Sequence, residues 1–322
     1  MIGFDIGGTK CAVCVGAYDG DSFHITNQKK IPTDLSVSPY EMIDHLCALA
    51  EKMTDDFRFI GVSCGGPLDS KNGMILSPPN LPGWDEVKIS EYLNQKYGSS
   101  VYLENDANAC ALAEWRFGAG QGCENMIFLT FGTGMGAGLI LNGNLYSGTC
   151  SNAGEIGHVR IERFGPVGYG KAGSFEGFAS GGGIAQMAKT AAMEQLQCGK
   201  ATAYCSSMDE VDTVTAATVA DAAKAGDETA LAVYQACGEM LGRGLSILID
   251  LLNPQKIVLG SIYVRSAELL KRTMYDVLKQ ECLPASLQAV EIVPAALGEQ
   301  LGNYAALALA YEAKCNTLKG ET

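Results

Sequence analysis

The 322-residue chain is short of histidine, with three (His24, His45, His158), of tryptophan, with two, and of positive charge, with 23 Lys and Arg against 36 Asp and Glu and a net charge of −13. Each shortage excludes something. An acidic surface argues against nonspecific binding of nucleic acid or of an anionic membrane, both of which need an excess of Lys and Arg. It leaves room for a phosphate ligand, because backbone amides and helix N-termini bind anions locally. Few histidines make a histidine general base the less expected solution for a proton transfer. No apolar run is long enough for a membrane span. The longest, around residues 241–252, is broken by Arg243 and Asp250 and reads as a buried helix. There is no G-x-x-x-x-G-K-[ST] sequence, so a P-loop is excluded. A leader is not expected, since Met1 runs straight into a strand pattern. The 12 cysteines are scattered singly, which reads as free thiols in a reducing cytoplasm. Cys11 and Cys14 have metal-like spacing, but they lie in a strand pattern, where residues three apart face opposite sides.

Glycine, by contrast, is abundant, at 39 residues with no low-complexity tract. That implies tight turns and close backbone approaches. The length exceeds the usual size of one core, so two domains are expected. Apolar alternation predicts strands over residues 2–5, 11–17, 23–28, 59–64 and 101–104, and helices over 39–52, 89–97 and 106–117. A second strand set follows at 126–131, 136–141, 144–147 and 158–162. A glycine-rich stretch, 165–183, reads as a closely packed loop. The remainder is mainly helical (183–197, 219–225, 229–252, 267–280, 301–313), with strands at 256–260 and 289–293 and a surface loop over 198–212. This is an α/β chain with a mixed sheet. Strand, glycine turn and strand recur in both halves, and the boundary near residue 110 reads as a hinge.

Four segments carry chemistry. Asp5-Ile6-Gly7-Gly8-Thr9-Lys10 joins two strands by a turn with consecutive small residues. It is either an ordinary hairpin or a cradle of backbone amides for phosphate, with Asp5 placed to hold a hydrated Mg²⁺. Gly132-Thr133-Gly134-Met135-Gly136-Ala137-Gly138 has more glycine than a hairpin needs, and is either a second cradle or a close strand crossing. Glu104-Asn105-Asp106-Ala107-Asn108 follows a strand. Asp106 is either a helix N-cap or the carboxylate that accepts a hydroxyl proton during phosphoryl transfer. Gly154-Glu155-Ile156-Gly157-His158 sets an acid and a histidine three apart, suited to the hydroxyls of a sugar or to a structural role.

Taken in order, with Gly65-Gly66-Pro67, Pro79-Asn80-Leu81 and Asn253–Gly260, these segments resemble the ROK family of sugar kinases and repressors, over roughly residues 2–310. The resemblance implies the actin-like ATPase (ribonuclease H-like) fold of hexokinase: two α/β domains, with ATP and sugar bound in the cleft separating them. The domains would be 1–108, completed by the C-terminal helix at about 301–318, and 109–300. It implies an ATP-dependent hexose kinase of glucokinase type, acting on glucose or an N-acetylhexosamine. Asp106 would be the general base. Gly66, Asn80, Asn105, Glu155, His158 and Glu176 would bind the sugar. Asp5, Gly7, Gly8, Thr9, Lys10, Gly132, Thr133, Gly134 and Gly260 would bind ATP, with Mg²⁺ near Asp5 and Leu297-Gly298 near the adenosine. The expected partners are a small sugar and a second copy of the chain, in the cytoplasm, with neither nucleic acid nor membrane. The repressor branch carries an N-terminal helix-turn-helix, for which there is no room before Ile2. The alternative is a non-catalytic sugar-binding regulator of the same fold.

Two departures from the family pattern stand out. Members typically carry zinc on the histidine of a Gly-His pair and on three cysteines; those cysteine positions here hold Val167, Tyr169 and Ser174. One histidine falls short of the four ligands of a structural zinc, so no structural zinc is expected, and Tyr169 and Phe175 are expected to hold the loop by packing. The other departure is Gly260-Ser261, where a glycine pair is common.

Overall fold

The computed structural model describes residues 1–18 and 23–320. The chain divides into two compact units: Met1–Gly122 with Gly138–Ala153 and Ala296–Thr322, and Cys123–Ala137 with Gly154–Ala295. No helix among the described residues is long and apolar enough to cross a membrane.

The first unit opens with an antiparallel meander, β1 (Ile2–Ile6), β2 (Lys10–Tyr18) and β3 (Phe23–Pro32). Then come α1 (Pro39–Ala50), β4 (Phe59–Cys64), a small hairpin β5 (Leu68–Asp69) and β6 (Met74–Ile75), α2 (Ile89–Tyr97), β7 (Ser100–Asn105) and α3 (Asp106–Phe117). The sheet order is β3-β2-β1-β4-β7, with β1, β4 and β7 parallel. The helix α1 starts where the sequence says it should. Ser38 caps it, Glu41 returns the bond to the Ser38 amide, and Pro39 occupies the first turn. Its Met42, Ile43, Leu46 and Cys47 cover one face of the sheet together with Cys11 and Val13. Cys14 points to the other face, against Ala306 and Leu307, so Cys11 and Cys14 are separated as strand alternation requires.

The second sheet has the order β10-β9-β8-β13-β14. Its elements are β8 (Met126–Leu129), β9 (Ala137–Leu141) and β10 (Asn144–Leu145), then β11 (Val167–Gly168), β12 (Lys171–Ala172), α4 (Phe175–Phe178), α5 (Gly181–Gln197), α6 (Ala216–Lys224), α7 (Glu228–Leu252), β13 (Lys256–Leu259), α8 (Ile262–Glu281), α9 (Pro284–Ala289) and β14 (Glu291–Pro294). Strands β8, β13 and β14 are parallel. The final helix, α10 (Leu301–Gly320), returns to the first unit. Its Ala305, Ala306, Leu307, Ala308, Leu309 and Ala310 are all buried. Two strand glycines make this contact possible. A Cβ on Gly61 would sit 2.0 Å from the Ala306 carbonyl oxygen, and one on Gly3 would sit 2.7 Å from the Ala306 Cβ.

Five sequence expectations need correction. Residues 158–162 form no strand: Ile156–His158 is a 3₁₀ turn, and only Arg160 makes an isolated bridge, to Ser174. Residues 165–183 are not one loop but hold β11, β12, α4 and the start of α5. Strand β14 starts at Glu291 because Ala289 ends α9. In 198–212 a 3₁₀ turn, Met208–Thr213, buries Val211. The loop expected to be held by Tyr169 and Phe175 is held differently. Phe175 is fully buried, but Tyr169 is 78% exposed, with its ring edge-on to His158 at 6.0 Å. Hydrogen bonds do the remaining work. The Gln186 carboxamide accepts from the Val167 amide (3.0 Å) and donates to the Val167 carbonyl (2.8 Å). Ser174 is buried and caps α4 by accepting from the Gly177 amide at 3.1 Å.

Candidate active site

In the first unit, the turn between β1 and β2 is fixed by its own backbone. The Gly7 amide donates to the Lys10 carbonyl at 3.2 Å, and the Thr33 amide donates to the Thr9 carbonyl at 3.1 Å. Gly8 lies so close to Asn80 that a Cβ there would be 2.2 Å from the Asn80 carbonyl oxygen. Asn80 and Gly66 both sit on exposed loops, and the space beside Gly66 is open. Thr9 and Lys10 are exposed.

Asp5 lies near the end of β1. Its carboxyl is pushed up to about 6, first by burial and then by the negative charge of Asp106, while Lys30 and Lys10 pull it partly back. The two carboxyls therefore share one electrostatic environment. Asp106 opens α3, just after Asn105, whose side chain caps the helix by accepting from the Asn108 amide at 2.8 Å. Asp106 is thus not the cap, which removes that alternative reading. Its Oδ1 accepts only locally, from the Ala107 amide at 2.9 Å. The residue reaches solvent, yet surrounding protein displaces much of the water near its carboxyl, and this burial raises its pKa. Glu104, grouped with these residues by sequence, has a supporting place. It is buried, and accepts from the Asn105 amide (3.2 Å), the Asn108 side chain (2.9 Å) and the Ser147 hydroxyl (3.1 Å).

In the second unit, the turn after β8 is propped from outside. Phe131 adopts a positive φ of 34°. The Gly132 amide donates to the Gly134 carbonyl at 3.0 Å, and the Gly181 and Gly182 amides at the start of α5 donate to the Gly132 and Thr133 carbonyls at 2.8 and 3.3 Å. The Glu176 carboxylate accepts from the Met135 amide at 2.9 Å. The amides of Thr133 and Gly134 make no backbone hydrogen bond among the described residues. Glu155 and His158 are exposed at either end of one 3₁₀ turn, where the His158 amide donates to the Glu155 carbonyl at 3.1 Å. Gly260 follows β13 and packs where a Cβ would lie 2.8 Å from the Thr130 carbonyl oxygen.

Beside this turn lies a cavity of about 710 Å³, lined by Gly132, Thr133, Gly181 and Gly182 at one end and by Ala216, Ala217, Ala220 and Asp221 of α6, with Tyr234, Ser261, Arg265 and Ser266, elsewhere. The sequence reading missed Gly181, Gly182, the α6 residues and Arg265. One signal was present: Ser180-Gly181-Gly182-Gly183 is a serine cap opening a helix with bare amides, and Ser180 does cap α5. Leu297 and Gly298, expected near the adenosine, lie in the first unit, where the Leu297 amide donates to Glu114 at 3.0 Å.

The chain divides into α/β units of the actin-like ATPase fold, as solved relatives at comparable length show. The family model for ROK proteins matches residues 1–313, and the chain belongs to the ROK family. It is 31% identical over 310 residues to a glucokinase of Halalkalibacterium halodurans, covering 94% of this chain and 92% of that one. It is 30% identical over 275 residues to the DNA-binding transcriptional repressor Mlc of Escherichia coli, covering 85% of this chain but 65% of the repressor. Among solved structures it resembles a ROK family glucokinase from Streptomyces griseus in complex with glucose and AMPPNP, with a TM-score of 0.76 and 30% identity over 97% of this chain and 99% of that one.

The residues bear differently on the groups a ROK protein would carry. Among the described residues no cluster of three or more His, Cys, Asp or Glu is placed to hold a metal ion. His158 with Val167, Tyr169 and Ser174 presents one good ligand, which does not fit structural zinc. Mg²⁺ bound to nucleotide asks less, one or two carboxylates plus phosphate and water, and Asp5 fits that demand.

Proposed function

We propose that this chain is an ATP-dependent hexose kinase in which Asp106 accepts the proton of the sugar hydroxyl. The observation that carries this is the placement of Asp106: first residue of α3, open to solvent, bonded locally to its neighbour's amide, and with a raised pKa that brings its basicity nearer the working pH. Asn105, Asn80, Gly66, Glu155, His158 and Glu176 are the proposed sugar ligands. Gly7, Gly8, Thr9, Lys10, Gly132, Thr133, Gly134 and Gly260 are the proposed nucleotide ligands, and Asp5 would hold the Mg²⁺. Bound Mg²⁺-ATP supplies the phosphoryl group and neutralises charge on it. The chain's own part is to hold the turn amides in place, to keep Asp5 beside the metal, and to take the proton at the Asp106 carboxylate. Glucose and N-acetylhexosamines are the proposed substrates, and the proposed working form is a cytoplasmic homodimer, which sedimentation would check.

Asp106→Asn keeps the shape and removes the base. Turnover should fall by something on the order of 10²–10⁴ with sugar binding retained. Near-normal ADP release in a coupled assay sinks the assignment. The length of the match to the Mlc repressor supports a second reading, a sugar-binding regulator without catalysis. Calorimetry separates the two: sugar binding without ATP affinity selects the regulator.

A further inference from the structure

Ser261 occupies a position where the family resemblance leads one to expect glycine, and it holds a backbone conformation that suits glycine better, φ 38° and ψ −95°. A serine kept in such a conformation is strained, so its side chain is expected to have a use. Two hydrogen bonds show one. The Arg265 guanidinium donates to the Ser261 hydroxyl at 3.0 Å and to the Ser261 carbonyl at 3.4 Å. Helix α8 is also broken immediately afterwards: Ser266 has φ −141° and ψ 24°, separating the turn that bears Arg265 from the rest of the helix. Ser261, Arg265 and Ser266 all line the 710 Å³ cavity.

The tether lies beside the second glycine turn. The Ser261 side chain comes within 3.7 Å of the place a Cβ would take on Gly132, and the Ile262 amide donates to the Phe131 carbonyl at 3.0 Å. The cavity wall therefore combines the Thr133 amide, which makes no backbone hydrogen bond among the described residues, the first turn of the 17-residue helix α5 and a guanidinium fixed near that same turn. The other charged side chains lining the cavity are Asp221 and Lys224. Lys224 is engaged with the Arg265 carbonyl at 2.8 Å and with Glu268 at 3.4 Å. Arg265 is the cation held toward the turn.

We propose that Arg265, tethered by Ser261, binds the phosphate chain of the nucleotide and makes this chain discriminate between phosphorylated nucleotides and the bare nucleoside. This rests on the kinase reading above. A guanidinium offers planar, two-pronged donors to phosphate oxygens, and a side chain already tethered loses less freedom on binding.

The test is calorimetric affinity for ATP, ADP and adenosine, measured for the wild type, Arg265→Ala, Arg265→Lys and Ser261→Gly at low and high salt. Arg265→Ala should weaken ATP and ADP by about tenfold or more, leave adenosine within about twofold, and flatten the salt dependence. Arg265→Lys should recover part of the loss. Ser261→Gly keeps the arginine but frees it, and should weaken ATP by about threefold. Arg265 is exposed, so the variants should fold, and unchanged circular dichroism would show that they do. Equal weakening of ATP and adenosine, or of neither, overturns the proposal while leaving the kinase reading intact. A wild type that binds none of the three overturns both.

Discussion

The two glycine turns look alike in sequence and are built differently. The first, at Gly7–Lys10, is held by its own strands, by Thr33 just beyond the neighbouring strand and by contact with Asn80. The second, at Gly132–Gly134, is held by residues some forty positions downstream: the Glu176 carboxylate and the opening amides of α5. The first also carries charge of its own, Asp5 and Lys10, whereas the second borrows its only carboxylate from elsewhere. A turn braced by backbone and packed against backbone has little room to yield. A turn braced by a side chain can be loosened by removing that side chain.

This contrast breaks most sharply at the glycines. Gly8→Ala drives a Cβ against the Asn80 carbonyl, so the turn or the Asn80 loop must shift, and under the proposed function a displacement of about an ångström should lower turnover on the order of 10²-fold. Gly182→Ala in the second support meets nothing closer than 3.6 Å, an ordinary contact, and should stay within about 0.5 kcal/mol of wild-type stability by urea unfolding. Comparable losses in both variants would erase the distinction.

Glu176→Ala removes the acceptor of the Met135 amide. The loss of a charge-assisted hydrogen bond should amount to about 1.5–3 kcal/mol; the KM for ATP should rise about tenfold or more, and the KM for sugar should rise too, since Glu176 is also a proposed sugar ligand. An unchanged KM for ATP would mean that the second turn, like the first, supports itself.

A further effect concerns Asp5 and depends on pH. Its carboxyl titrates near 6 in the folded chain, above its ordinary value, so folding favours the protonated form. That contribution is present in full below the ordinary carboxylate range and is lost as pH rises through about 6. Asp5→Asn should therefore match the wild type at pH 4 and exceed it by about 1–2 kcal/mol at pH 8, allowing for partial solvent screening. Equal stability of the two proteins at both pH values would show that Asp5 carries no such burden. The same variant should lose activity if Asp5 serves the metal.

Sequence reading succeeded where a pattern is local. The strand before Gly7 and the helices expected over 39–52, 89–97 and 106–117 follow from periodicity, and the first and third also from a capped first turn, because both signals are written in neighbouring residues. It failed where tertiary contact decides. The residues from Val159 onward alternate like a strand, but Gly157 lies under the Met135 carbonyl, where a Cβ would be 2.0 Å away, and the chain turns through a 3₁₀ segment instead. Tyr169 was the natural choice to fill a loop without cysteines. Yet the loop is held by Gln186, a polar side chain on the next helix whose reach no local pattern reveals. The cavity wall was illegible for the same reason, since α6 and Arg265 meet the turn only through the fold. Asp106, by contrast, sits in a local motif, so its proposed role can be read from neighbouring residues.

The seating of α10 on Gly3 and Gly61 has a consequence for biosynthesis. The face of the first sheet that α10 covers is synthesised well before its cover. Until then Cys14 and its neighbours are exposed to whatever else is in the cell. A nascent chain stalled before Leu301 is expected to be protease-sensitive around β1, β2 and β4 and to recruit chaperones, and synthesis of α10 should end both.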